Sequence, residues 1–381
     1  MRTGARRFSF ARMFAVFVKE FQQMMRDRLT FAMAVGIPII QLVLFGYAIN
    51  TDPKGLPTVL VNADRGTLSQ PIVSALENSG YFRITQQVDS EQQADRLIAS
   101  GDVQFMVAIP ADFTRRLVRG ERPALLVSVD ATDPSAAGNA IAALGQLGPQ
   151  ALAHDLVGPL RSLQSGAAPF ELRIHRRYNP EGLSRYNIVP GLVGTILTMT
   201  MVMLTGLAMT RERERGTMES LLATPVRPAE VMLGKILPYV VIGYIQLGVI
   251  LSAAFLLFEV PMMGSAALLL LMIGVFIIAN LGVGFTFSTI ARNQLQAVQM
   301  TFFFFLPSML LSGFMFPFRG MPDWAQAIGE VLPLTHFLRI VRGILLKGST
   351  FTELLPELWP MLAFLLVAAT IALKRYRQTL D

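Results

Sequence analysis

Charge is missing from this chain in blocks of membrane-crossing length. The runs 29–51, 186–210, 236–258, 260–291 and 293–318 hold no Asp, Glu, Lys or Arg. Hydrocarbon about 30 Å thick and a helical rise of about 1.5 Å per residue make about 20 apolar residues sufficient to cross. A shorter run, 358–373, is extended by the apolar residues beside Glu353 and Glu357. Six transmembrane helices are therefore predicted. The run 260–291 holds one helix of about 25 residues plus a turn at Pro261 and Gly264, so it need not be divided. Only 15% of the residues are charged, against about 25% in ordinary soluble domains, which excludes a conventional soluble enzyme. The absence of cysteine excludes disulfides, thiolate nucleophiles and Cys-ligated metal centres.

Orientation follows from Lys and Arg near the span ends, because positively charged short loops stay in the cytoplasm. Residues 1–28 carry Arg2, Arg6, Arg7, Arg12, Lys19, Arg26 and Arg28 against Glu20 and Asp27. The amino terminus is thus expected inside. Six crossings place 211–235, 291–296 and 374–381 inside too, with Arg211, Arg213, Arg215, Arg227, Lys235, Arg292, Lys374, Arg375 and Arg377. The insert 50–186 carries 13 basic and 14 acidic residues, while the whole chain is +7. The basic excess therefore faces the cytoplasm, and it reads as topology and anionic-lipid contact with no nucleic-acid partner. The first apolar run is too long for a signal peptide and no A-x-A-like site follows, so it is expected to remain as an anchor.

Four regions result. Residues 1–28 form a cytoplasmic amphipathic helix with Phe10, Met13, Phe14, Phe17, Phe21 and Met24 on one side; it lies on the inner membrane surface or packs on another domain. Residues 29–49 are transmembrane helix 1. Residues 50–186 alternate strand-like runs (58–62, 82–88, 103–109, 124–129, 170–175) with helical ones (67–79, 90–100, 112–119, 134–160), which predicts an α/β extracytoplasmic domain of ordinary size. No motif in it carries chemistry, its acidic residues read as solvated surface, and no metal site is expected. Residues 187–381 hold transmembrane helices 2–6, with a cytoplasmic loop at 210–235 and an outer segment at 317–353. That segment suits two short helices, Pro322 to Val331 and Pro333 to Leu346, with Leu334, Phe337, Leu338, Val341 and Leu345 on one face. Too short to span, they form a re-entrant hairpin or pack at the interface.

In the loop after span two, Gly216 and Pro225 bracket a helix of about eight residues. Met218, Leu221 and Leu222 make a small apolar knob ringed by charge. It suits a groove in another protein, or it is a solvated turn that ties two spans together.

Here the sequence resembles the ABC-2 type export permeases, the membrane subunits of ATP-binding-cassette exporters. The resemblance rests on Glu212 to Leu222 with Thr224-Pro225 and Gly234-Lys235. Arg177-Tyr178-Asn179-Pro180, Ile188-Val189-Pro190-Gly191, Pro333-Leu334-Thr335 and Arg342-Gly343 agree with it. It covers the whole chain, including the large ectodomain between spans one and two found in one branch. The resemblance implies a permease of the bacterial inner membrane with both termini cytoplasmic, paired with a second permease copy or homologue and with nucleotide-binding ATPase subunits. A periplasmic adaptor protein on the ectodomain is a further candidate partner, which the resemblance leaves open. It also implies that Glu212, Arg213, Glu214, Thr217, Met218, Glu219, Leu221 and Leu222 couple to the ATPase. No cofactor is expected on this chain; ATP and Mg belong to the partner. Consistently, no G-x-x-x-x-G-K-[ST] is present, since Ala229 and Ile236 break the pattern around Gly234-Lys235.

Two other functions compete. A proton-coupled secondary transporter keeps ionisable groups in its spans, and none occupies the middle of these, although sodium sites built from carbonyls and hydroxyls survive that argument. A non-transporting receptor would use the ectodomain, but six spans exceed what an anchor requires. For an export pathway the candidates are Gln299, Phe303 and Leu306, which share one face of span five, and Asn280 in span four. An amide among Phe and Met suits an amphiphilic or hydrophobic cargo; lipid-facing Phe and helix-packing Met are the plainer reading.

Overall fold

The computed structural model describes residues 53–152, 155–156, 168–214 and 228–378. An α/β region comes first. Strands β1 (Leu56–Asn62), β2 (Phe82–Gln87), β3 (Phe105–Ile109), β4 (Ala124–Asp130) and β5 (Glu171–Arg177) form one sheet in the order β2-β1-β3-β4-β5. All neighbours run parallel except β3 and β4, which are antiparallel. Helices α1 (Ser69–Asn78), α2 (Glu91–Ser100), α3 (Phe113–Val118) and α4 (Pro134–Gln150) connect them.

Period-two alternation divides the strand side chains between two cores. Leu56, Leu60, Phe105, Val107, Leu125 and Val127 meet α1, α3 and α4. Val59, Val61, Met106 and Ala108 meet Ala94 and Ile98 of α2. The central strands are covered on both faces and so read as near-continuous apolar runs. Edge strand β5 instead exposes Glu171, Arg173 and His175, charges that discourage pairing with another chain. Every strand and helix expected here is present, but α4 ends at Gln150 rather than near 160.

Five described helices are long and apolar enough to cross a membrane: Ser184–Leu207, Pro238–Leu256, Ala266–Ile290, Gln294–Leu311 and Phe351–Ala372. They belong to α5 (Ser184–Glu214), α6 (Pro228–Leu256), α7 (Ala266–Ile290), α8 (Gln294–Leu311) and α11 (Phe351–Gln378). The expected amphipathic helix 1–28 and first span 29–49 lie outside the described residues. The run 260–291 is one helix of 25 residues, capped by the Ser265 hydroxyl, which accepts from Leu268 N. The last apolar helix starts at Phe351, so Glu353 and Glu357 fall inside it.

Helices α5 and α7 are the centre of the bundle, and α6 and α11 leave most of their apolar surface open, as lipid-facing helices do. The α5–α7 contact depends on Gly284: a Cβ there would lie 2.4 Å from the Val202 carbonyl oxygen. Small residues at such crossings let backbones approach where no hydrophobic drive separates helix from lipid.

Between α8 and α11 lie α9 (Asp323–Gly329), α10 (Pro333–Arg342) and a wide turn at Gly343–Lys347. Leu334, Phe337, Leu338, Val341 and Leu345 are all buried in one core with Val193, Leu197, Phe276 and Met361. The Phe337 ring stacks on Phe276 with centroids 3.9 Å apart and planes 8° from parallel. A Cβ on Gly194 of α5 would sit 2.7 Å from a Leu334 methyl. Helix α10 is thus wedged into the bundle.

Candidate functional site

Span five, now α8, has two unlike sides. Ala297, Thr301, Ser308 and Leu310 are buried against the chain's own helices. Gln299 and Leu306 are half-buried, and Phe303 is exposed. The face picked from sequence is therefore less buried than the opposite one among the described residues. Gln299 Oε1 is shielded from solvent yet accepts no hydrogen bond. Asn280 is placed elsewhere: wholly buried in α7, it donates through Nδ2 to the Phe276 carbonyl at 2.9 Å and leaves Oδ1 unpartnered.

Of the eight loop residues, Thr217, Met218, Glu219, Leu221 and Leu222 lie outside the described residues. Glu212 and Arg213 belong to the last turn of α5. Glu214, its final residue, does more than ring a knob with charge. Its carboxylate accepts from Gln294 N at 2.8 Å and also from Gln294 Nε2. These two bonds hold the exposed Glu214 carboxyl below the usual carboxylate range. A carboxylate at a helix amino terminus also meets the positive end of the helix dipole. The end of α5 is thereby tied to the start of α8.

A second polar constellation sits where the α/β region meets the 317–353 segment. Lys347 Nζ donates to Asp130 Oδ2 at 2.6 Å, with both side chains mostly buried, and lies 5.3 Å from the Tyr178 ring centre. Arg319 donates to the Gly101 carbonyl. Behind them His336 bonds Glu357 at 2.6 Å and the Glu330 carbonyl at 2.8 Å. Arg339 bridges Glu330 at 2.6 Å and Glu357 at 3.2 Å, its guanidinium 4.7 Å from the Phe318 ring centre. A carbonyl and a carboxylate only accept, so both imidazole nitrogens donate and the ring is the imidazolium. Burial works to lower the His336 pKa, but the bonds to Glu357 and to the Glu330 carbonyl outweigh it and raise the value. Among the described residues no group of three or more His, Asp or Glu is spaced to hold a metal.

The family model for ABC-2 family transporter proteins matches residues 28–374. This chain belongs to that family. As an ABC-2 family member it is similar over 346 residues, at 30% identity, to an Escherichia coli K12 protein named "Probable multidrug ABC transporter permease YbhS", with 90% of each chain covered. It is similar at 27% identity to "Probable multidrug ABC transporter permease YbhR" of the same organism, with 97% of this chain and 99% of that one covered. "Inner membrane transport permease YhhJ" is 30% identical over 85% of this chain and 86% of its own length. The chain is thus a membrane transport subunit of the permease type rather than an enzyme. Within that ABC-2 plan, the His336, Arg339 and Glu357 cluster and the Asp130–Lys347 pair escaped the sequence reading. Asp130 was expected on solvated surface, and its burial corrects that expectation. The available signal was His336 and Arg339 one turn apart, with Glu357 in an otherwise apolar stretch.

Proposed function

We propose that this chain is the permease of an exporter that moves an amphiphilic or hydrophobic compound, drug-like or lipid-like, out of the cytoplasm or inner leaflet. ATP with Mg is hydrolysed on separate nucleotide-binding subunits, to which residues 212–222 dock. The chain crosses a bacterial inner membrane six times, the first at 29–49, with both termini cytoplasmic and 50–186 outside. Helices α9 and α10 form the outer re-entrant hairpin. Family membership and the multidrug permease names of the E. coli relatives support the substrate class, and they leave a sodium-coupled carrier or a receptor without support.

The observation that carries the coupling is the Glu214–Gln294 clasp. A push on the loop after Glu214 reaches the first residue of α8, and α8 presents the Gln299, Phe303 and Leu306 face toward a second permease copy across the cargo route.

The experiment is the double variant Glu219→Lys with Met218→Asp. Charge placed at a docked contact typically costs about 2–5 kcal/mol, so the ATPase is expected to separate from the permease on purification and transport to fail while expression persists. Undiminished co-purification and transport would sink the docking assignment. Orientation is checked with Ser100→Cys, in an otherwise cysteine-free chain. Labelling of intact cells by an impermeant thiol reagent is expected, and labelling only after lysis would reverse the topology.

A further inference from the structure

A cleft of about 920 Å³ opens between the α/β region and the 317–353 segment. Its lining includes Arg83 of β2, Arg319, Arg339, Arg342 and Lys347. The carboxylates that face them are largely committed. Asp130 holds Lys347, Glu330 and Glu357 hold Arg339 and His336, and Glu353 accepts from Thr350 N at 2.8 Å. Asp323 is exposed at the start of α9.

Three guanidiniums are left without a carboxylate at ion-pair distance among the described residues. Arg319 has only the Gly101 carbonyl. Arg342 has the Gly313 carbonyl at 3.2 Å, and its shielded Nε has no partner. Arg83 is exposed on its strand. The like charges repel one another. Desolvation, then Arg339, lowers the pKa of Arg319; Asp130 and Asp102 pull the other way, and Arg83 adds a smaller push downward. Burial lowers that of Arg342 against the pull of Asp133 and Asp130, with a smaller push from Arg339. Guanidinium forks match the geometry of phosphate, sulfonate and carboxylate groups, and an oxyanion would relieve both the repulsion and the orphaned donor.

Exposed tryptophans close in sequence to lining residues suit a cleft near a membrane surface. The chain has two tryptophans, Trp324 beside Asp323 and Trp359 two residues after Glu357, and both are exposed. Exposed Trp marks the boundary between headgroups and hydrocarbon. A ligand in the cleft can keep an anionic head among the arginines and a tail in lipid.

We propose that this cleft binds the oxyanionic head of an amphiphile, with Arg319, Arg342 and Arg83 as its ligands. The assignment rests on the reading of 317–353 as the outer side of an exporter and names the class of compound met there.

Trp324 and Trp359 adjoin or lie two residues from the lining residues Asp323 and Glu357 in sequence, so binding is read by intrinsic tryptophan fluorescence of the purified full chain in phosphatidylcholine nanodiscs, with microscale thermophoresis as a second, indole-independent readout. Hexyl phosphate is expected to give a saturable change, and hexyl glucoside none. Arg319→Gln and Arg83→Gln should each weaken hexyl phosphate by about tenfold, the loss of one charge-assisted contact. Arg342→Gln should weaken it too; because Arg342 is packed, the two exposed variants decide if it does not fold. Arg185→Gln, which removes an ion pair to Glu259 outside the cleft, should change nothing. Two arms identify the source. Equal binding of inorganic phosphate assigns a free oxyanion. Suppression of hexyl phosphate binding in phosphatidylglycerol nanodiscs assigns a bilayer lipid. No saturable signal from any oxyanion, equal binding of hexyl glucoside, or affinities untouched by the arginine variants overturns the site. No ATPase is needed, so this result and the coupling result fail independently.

Discussion

His336 Nδ1 lies 2.6 Å from Glu357 Oε2, which joins the short wedged helix α10 to the start of the last membrane helix. The contact has a direction in pH. Because the folded-state pKa of His336 is raised, the imidazolium's stabilisation is fully present below the unfolded value of about 6.5 and is lost as pH rises through the folded value. The detergent-purified protein is therefore expected to melt at lower temperature as pH rises past that point. His336→Gln should flatten that part of the profile. A profile identical in wild type and variant would show that the imidazolium contributes nothing.

The Asp130–Lys347 pair gives a second expectation. It fastens the α/β region to the turn after α10, and both partners are only 12% exposed, so removing one charge strands the other. Asp130→Asn is expected to cost about 2–5 kcal/mol. Asp130→Leu with Lys347→Met should recover a good part of that, because replacing a buried pair with apolar groups is often neutral. Thermal melts of the three proteins measure it, and a double variant as unstable as the single one would refute the pairing as the source.

Glycine positions separate close packing from open surface. Gly284→Ala drives a methyl group to within 2.4 Å of the Val202 carbonyl oxygen and is expected to destabilise the bundle by about 1–3 kcal/mol. Gly248→Ala on α6 meets nothing within 4 Å and should be neutral or slightly stabilising through helix propensity. Melting temperatures decide, and equal effects would contradict the α5–α7 contact.

What could be read from the chain follows from the range of each interaction. Strand alternation and charge-free runs are local, so β1 through β5 and the five described apolar helices fall where the pattern puts them. The Leu334 to Leu345 face was legible for the same reason, since a helical stripe carries its own burial. Lys347 and Asp130 stand 217 residues apart and Glu214 and Gln294 stand 80 apart. Nothing in either neighbourhood marks a partner so distant. Glu357 was visible as a charge in an apolar stretch, but its pairing with His336 and Arg339 needed the chain to fold α10 back beside α11. On α8 the amide-bearing face was legible as a face; that Gln299 Oε1 finds no donor among the described residues was not.

That unpartnered amide supports the last prediction. A buried carbonyl oxygen without a donor costs about 1–3 kcal/mol, and lipid supplies none, so a second copy of the chain or a polar group on the cargo would stabilise Gln299 by supplying one. Thr301, two residues on and so on nearly the opposite side of the helix, is spoken for by the Ala297 carbonyl at 2.9 Å and is buried in its own subunit. Single Gln299→Cys and Phe303→Cys variants are expected to crosslink two copies under mild oxidation, or to be shielded from thiol reagents by transported compound. Thr301→Cys should do neither, and Phe305→Cys less than the first two. Crosslinking spread evenly round α8, or absent at 299 and 303 in a transporting assembly, would take this face out of the dimer axis. The amide would then be satisfied within its own subunit, by the described residues after a side-chain rotation or by the expected first span at 29–49.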